Sequence, residues 1–250
     1  FPESGTQAHE YVILRNMTTQ AVDVSGWVIE GEIHHVFKGG TVIPAGDGTP
    51  TSFYKGLIHV AKDALAFRSR PSGPTGGQRR FVQGNYTGQL SARGGYLNLR
   101  DDKGMLIDID VYVGNPLPTQ RWLRISEIQY HPADPTAGEL TAMPGVTDDE
   151  FEYLELMNTG TGDLALAGAY FSQGLVFTFP DVPEATLAAG QRLVLAKNPG
   201  AFALRYGSVG APVLGPYEGQ LNNSGDRIEL TDVSGENILD FEYKDGWYPR

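Results

Sequence analysis

The stretch Glu152-Tyr-Leu-Glu-Leu-Met-Asn-Thr-Gly-Thr-Gly-Asp-Leu-Ala-Leu-Ala-Gly-Ala-Tyr170 repeats, in outline, an earlier one, Glu10-Tyr-Val-Ile-Leu-Arg-Asn-Met-Thr-Thr-Gln-Ala-Val-Asp-Val-Ser-Gly-Trp-Val28. At an offset of 142 the two share Glu10/Glu152, Tyr11/Tyr153, Leu14/Leu156, Asn16/Asn158, Thr19/Thr161 and Gly26/Gly168, six identities in 19 positions. Each begins with period-2 alternation, the mark of a half-buried strand. Val12 and Leu14 fall on one face, as do Leu154 and Leu156. Tyr11, Ile13 and Arg15 fall on the other, with Tyr153, Glu155 and Met157. The face that is apolar in both copies is the expected core face. Asn158-Thr159-Gly160 then reads as a turn, and Asn16 stands where the matching turn starts.

The correspondence continues in order along the chain. His35-Val36-Phe37 falls on Phe177-Thr178-Phe179, and TVIPAG from Thr41 on ATLAAG from Ala185. Ala61-Lys62 matches Ala196-Lys197, and Phe67 matches Phe202. The segment from Gly84 to Tyr112 lies without a gap on Gly215 to Tyr243, with 11 identities in 29 positions. Collinear blocks of this kind indicate two copies of one domain of about a hundred residues each, within the usual domain size. Two prolines and a glycine in Gly114-Asn115-Pro116-Leu117-Pro118 mark the joint. The expected domains are therefore 1–116 and 117–250.

Each copy reads as all-β, with about seven to nine short strands, which points to an immunoglobulin-like sandwich. Asp101-Asp102-Lys103-Gly104 and Asp232-Val233-Ser234-Gly235 read as hairpin connections. Only residues 62–70 and 197–207 suggest a helical turn, the latter opened by Lys-Asn-Pro. Gly 32 and Pro 16 suit a protein of many turns. The copies differ at the front. Copy two has a further strand, Leu123 to Tyr130, ahead of its repeat, whereas copy one has nine residues before Glu10. Copy one is expected to lack its first strand or to take it from elsewhere, and the chain reads as a piece of a longer protein.

These residues resemble the lamin tail domain family. Copy one carries YVILRN, VSGWVI (24–29), Phe37, TVIPAG and GGYLNLRDDKG; copy two carries LRISEIQYHPADP (123–135), EFEYLELMNTG (150–160), FTFP, AGQRLVLAKNPGAFALRYG (189–207) and DGWYP (245–249). The second set is similar to bacterial exported members. The resemblance implies an immunoglobulin-like fold and a non-catalytic interaction or spacer module of a larger bacterial exported or cell-surface protein. It implies other domains of the same polypeptide, a surface protein or a glycan as partners. It supplies no catalytic residues. Ala169-Tyr170 departs from Trp27-Val28 of copy one.

Composition narrows the chemistry. With Cys 0 there are no disulfides, no thiolate metal sites and no cysteine nucleophile. No apolar run reaches the length of a membrane span. Residues 1–119 carry 11 acidic and 11 basic side chains, so the whole net charge of −11 falls in the second half, a poor partner for duplex nucleic acid. No nucleophile elbow, phosphate loop or dinucleotide fingerprint is present. His34 and His35 alternate faces of a strand and are not expected to chelate one metal. An enzyme, with a site between the domains, is the remote alternative.

The binding candidates are few. Asp148, Asp149, Glu150 and Glu152 form an acidic run that offers oxygens to Ca²⁺ but lacks the spacing of a calcium loop, and no cofactor is expected. Arg68, Arg70, Arg79 and Arg80 cluster around a Gly- and Pro-rich loop, as a mobile surface, an anion or partner site, or a contact to the acidic second domain. Tyr86, Tyr112, Tyr217 and Tyr243 recur in both copies, as packing residues do, but a carbohydrate-binding module would use such rings as a platform. Trp247 and Tyr248 have no counterpart and are the freest to bind.

Overall fold

The computed structural model describes residues 7–48, 55–70 and 81–247. The chain divides into two compact units, Phe1–Pro116 and Leu117–Arg250. The first contains β1 (Tyr11–Arg15), β2 (Val22–Asp23), β3 (Val28–Gly31), β4 (Ile33–Val36), β5 (Val42–Ile43), β6 (Leu57–Ala61), α1 (Ala64–Ser69), β7 (Phe81–Gln83), β8 (Thr87–Gly88), β9 (Gly94–Arg100) and β10 (Leu106–Val113). They form sheets of order β1-β6-β7 and β10-β9-β3-β4-β8, with β2 pairing β5.

The second unit opens with α2 (Pro118–Trp122), β11 (Leu123–Gln129) and α3 (Ala137–Ala142). It then runs through β12 (Tyr153–Asn158), β13 (Leu164–Ala165), β14 (Tyr170–Gln173), β15 (Leu175–Thr178), β16 (Thr186–Leu187) and β17 (Arg192–Ala196). After α4 (Pro199–Tyr206) come β18 (Val213–Leu214), β19 (Glu218–Gly219), β20 (Gly225–Thr231) and β21 (Asn237–Lys244). Its sheets run β11-β12-β17-β18 and β19-β15-β14-β20-β21, with β13 pairing β16.

Strand for strand, β12 to β21 repeat β1 to β10, including the parallel pair β6/β7 in β17/β18. Two immunoglobulin-like β-sandwiches result, and β11 is the extra strand of the second. Each unit has more strands than periodicity predicts because β2, β5, β8, β13, β16, β18 and β19 are two-residue bridges, too short to leave a period.

The cores follow the predicted faces. Leu154 and Leu156 are fully buried with Phe171, Phe179, Leu193 and Ile228. In the first unit Ile29, Ile33, Phe37, Ile58 and Val60 form the corresponding cluster, with Val12 and Leu14 only half-buried against it.

Local chemistry explains the ends of elements. Asn198 caps α4, its Oδ1 accepting the Gly200 and Ala201 amides at 3.0 and 3.1 Å, and Pro199 occupies the first turn. Asp63 caps α1 in the same way. In the hairpins, Asp101 accepts the amides of Lys103 and Met105, and Asp232 those of Ser234 and Glu236. Gly104 and Gly235 supply the positive φ, 80° and 92°, that closes each turn. Two helices go beyond the sequence expectation, α2 and α3. The signal for α3 is present as Thr136-Ala-Gly-Glu139, a capping box in which Thr136 N donates to Glu139 Oε2 at 2.7 Å.

Candidate functional site

The most constructed polar arrangement occurs twice and lies inside the fold. Glu152, at the foot of β12, is fully buried. Its Oε2 accepts the Tyr217 hydroxyl and the Leu221 amide, both at 3.0 Å, and Lys197 Nζ stands at 3.9 Å. Its Oε1 is buried without a hydrogen-bond partner. In the first unit Glu10 Oε2 accepts the Tyr86 hydroxyl and the Leu90 amide, both at 3.1 Å. In both units the carboxylate ties the first repeated strand to the segment that leads into β9 or β20. Burial pushes the Glu152 carboxyl up to about 7, against the opposing effects of the Leu221 amide, Lys197 and Tyr217. Burial, then the neighbouring carboxylate, raises the hydroxyls of Tyr86 and Tyr217.

A second duplicated hub is Asn16/Asn158. Asn158 Nδ2 donates to the carbonyls of Gly162, Leu187 and Ala188 at 2.8, 2.9 and 3.1 Å, while its Oδ1 accepts the Gly160 amide. Asn16 makes the matching bonds to Gln20, Pro44 and Thr18. These identities between the copies hold the fold together; they do not face solvent.

One concave surface of the second unit lies between the free edges of β11 and β21, in a groove of about 540 Å³. Ile125, Ile128, Leu239 and Phe241 make an apolar floor, and Arg124, Ser126 and Glu127 stand along the β11 side. Glu127 accepts the Tyr153 hydroxyl at 2.5 Å, and Ser126 donates to Glu155 at 2.7 Å. Glu155 also faces Arg192 at 3.4 Å. Tyr243 underlies the groove but is 1 % exposed, and its hydroxyl donates to Asn222 O at 3.0 Å. The groove offers apolar contact and two strand edges. Glu152, the carboxyl that burial pushes up, is not among its lining residues but sealed in the core.

The structure places the sequence candidates as follows. The recurring tyrosines are not an aromatic platform: Tyr86, Tyr217 and Tyr243 are buried and Tyr112 is half-buried, since a ring packed in a sandwich core offers no face to a sugar. The acidic run does not converge. Residues Asp148–Phe151 form a 3-10 turn, Glu150 accepts the Asn198 side-chain amide at 2.8 Å, and Glu152 is committed to Tyr217 and Leu221. Among the described residues no group of three or more His, Asp or Glu stands close enough to hold a metal ion. His35 is buried against Phe37 while His34 is exposed, the opposite faces expected.

Arg70 lies over the rings of Phe67 and Tyr11, at 3.9 and 4.8 Å, so it packs, while Arg68 is exposed in the last turn of α1. Arg79, Arg80 and Tyr248 lie outside the described residues, and Trp247 ends a 3-10 turn, Asp245–Trp247. Sequence reasoning missed Gln120, which is buried and donates to Asn237 O at 2.8 Å and to Glu236 Oε2 at 3.3 Å, fastening α2 to the start of β21.

The model of the Lamin Tail Domain family matches residues 117–245, just over half of the chain. The chain belongs to the lamin tail domain family. The match covers the second unit, and the first unit repeats that lamin tail domain's strand order without β11. No curated protein matches the chain. Among the described residues, no helix is long and apolar enough to cross a membrane.

Proposed function

We propose that this pair of lamin tail domains is a non-catalytic interaction and spacer module of a larger bacterial exported or cell-surface protein. One observation carries the reading. Two of the polar pairs that the copies share, Glu10/Glu152 and Asn16/Asn158, are spent on internal bonds, and the second domain turns outward an apolar groove between strand edges. Apolar contact flanked by strand edges suits a polypeptide partner. The recurring tyrosines that a glycan platform would use are buried or half-buried, and an enzyme would need its shifted group in a cleft.

The test is thermal unfolding of the chain against a panel of oligosaccharides and polysaccharides, with Ca²⁺ or a chelator in each well. A ligand at about a hundred times its Kd would add about 2.7 kcal/mol to stability, a shift of several degrees. The expected result is no shift with any sugar or with Ca²⁺. A shift with one glycan would replace this reading by a carbohydrate-binding one.

A further inference from the structure

The strands β10 and β21 hold the same place in the two domains and carry opposite outer faces. In the second domain β21 ends its sheet with β11 in place, because β11 pairs with β12. The outer side chains of β21, Asp240, Glu242 and Lys244, are exposed in that setting. Exposure at the matching positions of β10 therefore belongs to the plan of the domain and does not depend on what precedes β1.

On β10 those positions are Ile109, Val111 and Val113, which are 54 %, 72 % and 96 % exposed. Tyr96 of β9, paired with Val111, adds a ring that is 51 % exposed. Leu97 and Leu99 face the core, so strand alternation turns these four residues away from it. In the second domain the same four positions read Arg227, Asp240, Glu242 and Lys244, with Arg227 held to Asp240 by two bonds of 2.7 Å. Charged side chains on an edge strand are one way a sheet resists pairing with another. β21 carries that protection. β10 carries an apolar stripe instead, flanked by Asn98 and the Glu30–Arg100 ion pair.

Among the described residues β10 ends its sheet, and its sequence is complementary to itself in one register. A two-fold axis through Val111, perpendicular to the sheet, sets antiparallel β10 strands with Val111 against Val111 of the second copy, Ile109 against Val113 and Asp110 against Tyr112. Centring the pair on Asp110 would oppose Asp110 to itself, and centring it on Ile109 would oppose Asp108 to Asp110. Like charges directly opposite destabilise a strand pair, so both alternatives are disfavoured. Net charge permits the approach. Residues 1–119 carry 11 acidic and 11 basic side chains, and the charge of −11 lies in the other half of the chain.

We propose that the first lamin tail domain pairs with a second copy of this chain, β10 against β10 in the antiparallel register centred on Val111, so that one sheet runs through both copies and their apolar stripes join on its outer face. A contact of this kind is isologous and closes on itself, which makes a dimer and not a filament. Main-chain bonds supply the pairing, and the Ile109–Val113 contact, made twice, fixes the register. The pairing uses a different surface from the groove of the second domain and does not rest on it.

The test is sedimentation equilibrium of the full chain over a concentration series from the micromolar to the sub-millimolar range. The average mass is expected to rise from that of the monomer toward twice that value. Val111→Lys sets two ammonium groups opposite each other on the axis and is expected to weaken association more than about tenfold. The position is exposed, so the variant should keep the melting temperature of the monomer. The register is read separately with Val111→Cys. Residues directly opposite in an antiparallel pair lie within the span of a disulfide, and the chain has no other thiol. Under mild oxidation Val111→Cys is expected to give a linked dimer much faster than Val233→Cys, an exposed site on a hairpin of the second domain. The proposal is overturned if the chain stays monomeric throughout, if Val111→Lys associates as the parent does, or if Val233→Cys links as fast as Val111→Cys. A glycan hit in the melting panel would change the reading of the groove and leave these results where they stand, so the two failures are distinguishable.

Discussion

The buried carboxylate of Glu152 gives the second domain a stability that depends on pH in a calculable way. In the unfolded chain the group titrates near the ordinary glutamate value of 4.5; in the fold it is held up to about 7, chiefly by burial. Because the folded value is the higher one, the native state holds the proton more tightly. The stabilisation is complete below about pH 4.5, falls as the pH rises and is lost by about pH 7. The difference between the two values corresponds to about 3 kcal/mol.

Glu152→Gln removes the titration and keeps the shape. The amide carbonyl can accept the Tyr217 hydroxyl and Leu221 amide, and the amino group takes the place of Oε1, where a protonated carboxyl would also lack an acceptor. Urea unfolding of both proteins at steps from pH 4.5 to 8 checks this. The difference between them cancels the titration of every other group. The variant is expected to match the wild type near pH 4.5 and to exceed it by about 3 kcal/mol at pH 8. A difference that stays constant across the range would refute the reasoning. It would mean that Lys197, 3.9 Å from Oε2, and the two hydrogen bonds keep the buried group ionised throughout.

Three further outcomes follow from the same structure. Leu156→Ala should cost about 3–5 kcal/mol, but the aligned Leu14→Ala markedly less, because Leu156 is fully buried and Leu14 is not; denaturant midpoints of the two variants check it. Asn158→Ala strips hydrogen bonds from three carbonyls at a site 0 % exposed and should cost about 2–4 kcal/mol, with Asn158→Asp at least as harmful, again read by urea unfolding. Asn198→Ala should cost about 1 kcal/mol through loss of the α4 cap, and slowed hydrogen exchange at the Gly200 and Ala201 amides should be lost with it.

The strand plan was legible wherever a local period carried it. Val12/Leu14 and Leu154/Leu156 alternate with polar neighbours, and these strands form where the alternation lies. The Asp-x-x-Gly hairpins were legible because the side chain that builds the turn sits within four residues of its partners. The capping box of α3 is written in the sequence, but six residues show too little periodicity to announce a helix. Glu152 was readable as structural from its recurrence at Glu10. Its raised proton affinity was not, because that comes from burial among segments distant in the chain, against the opposing pull of Tyr217 and Leu221, 65 and 69 residues away. Recurrence marked the tyrosines as packing residues, but sequence gives a ring's identity and not the sheet that covers it.

By itself, then, the sequence determined that the chain is a duplicated all-β domain, because duplication and strand period are properties of residue order. Tertiary structure alone decided which edges are covered and which carboxylate is sealed. Burial is a sum over segments distant in the chain, and no window of the sequence contains it. The same Leu is closed in one domain and half-open in the other according to whether β11 lies beside it.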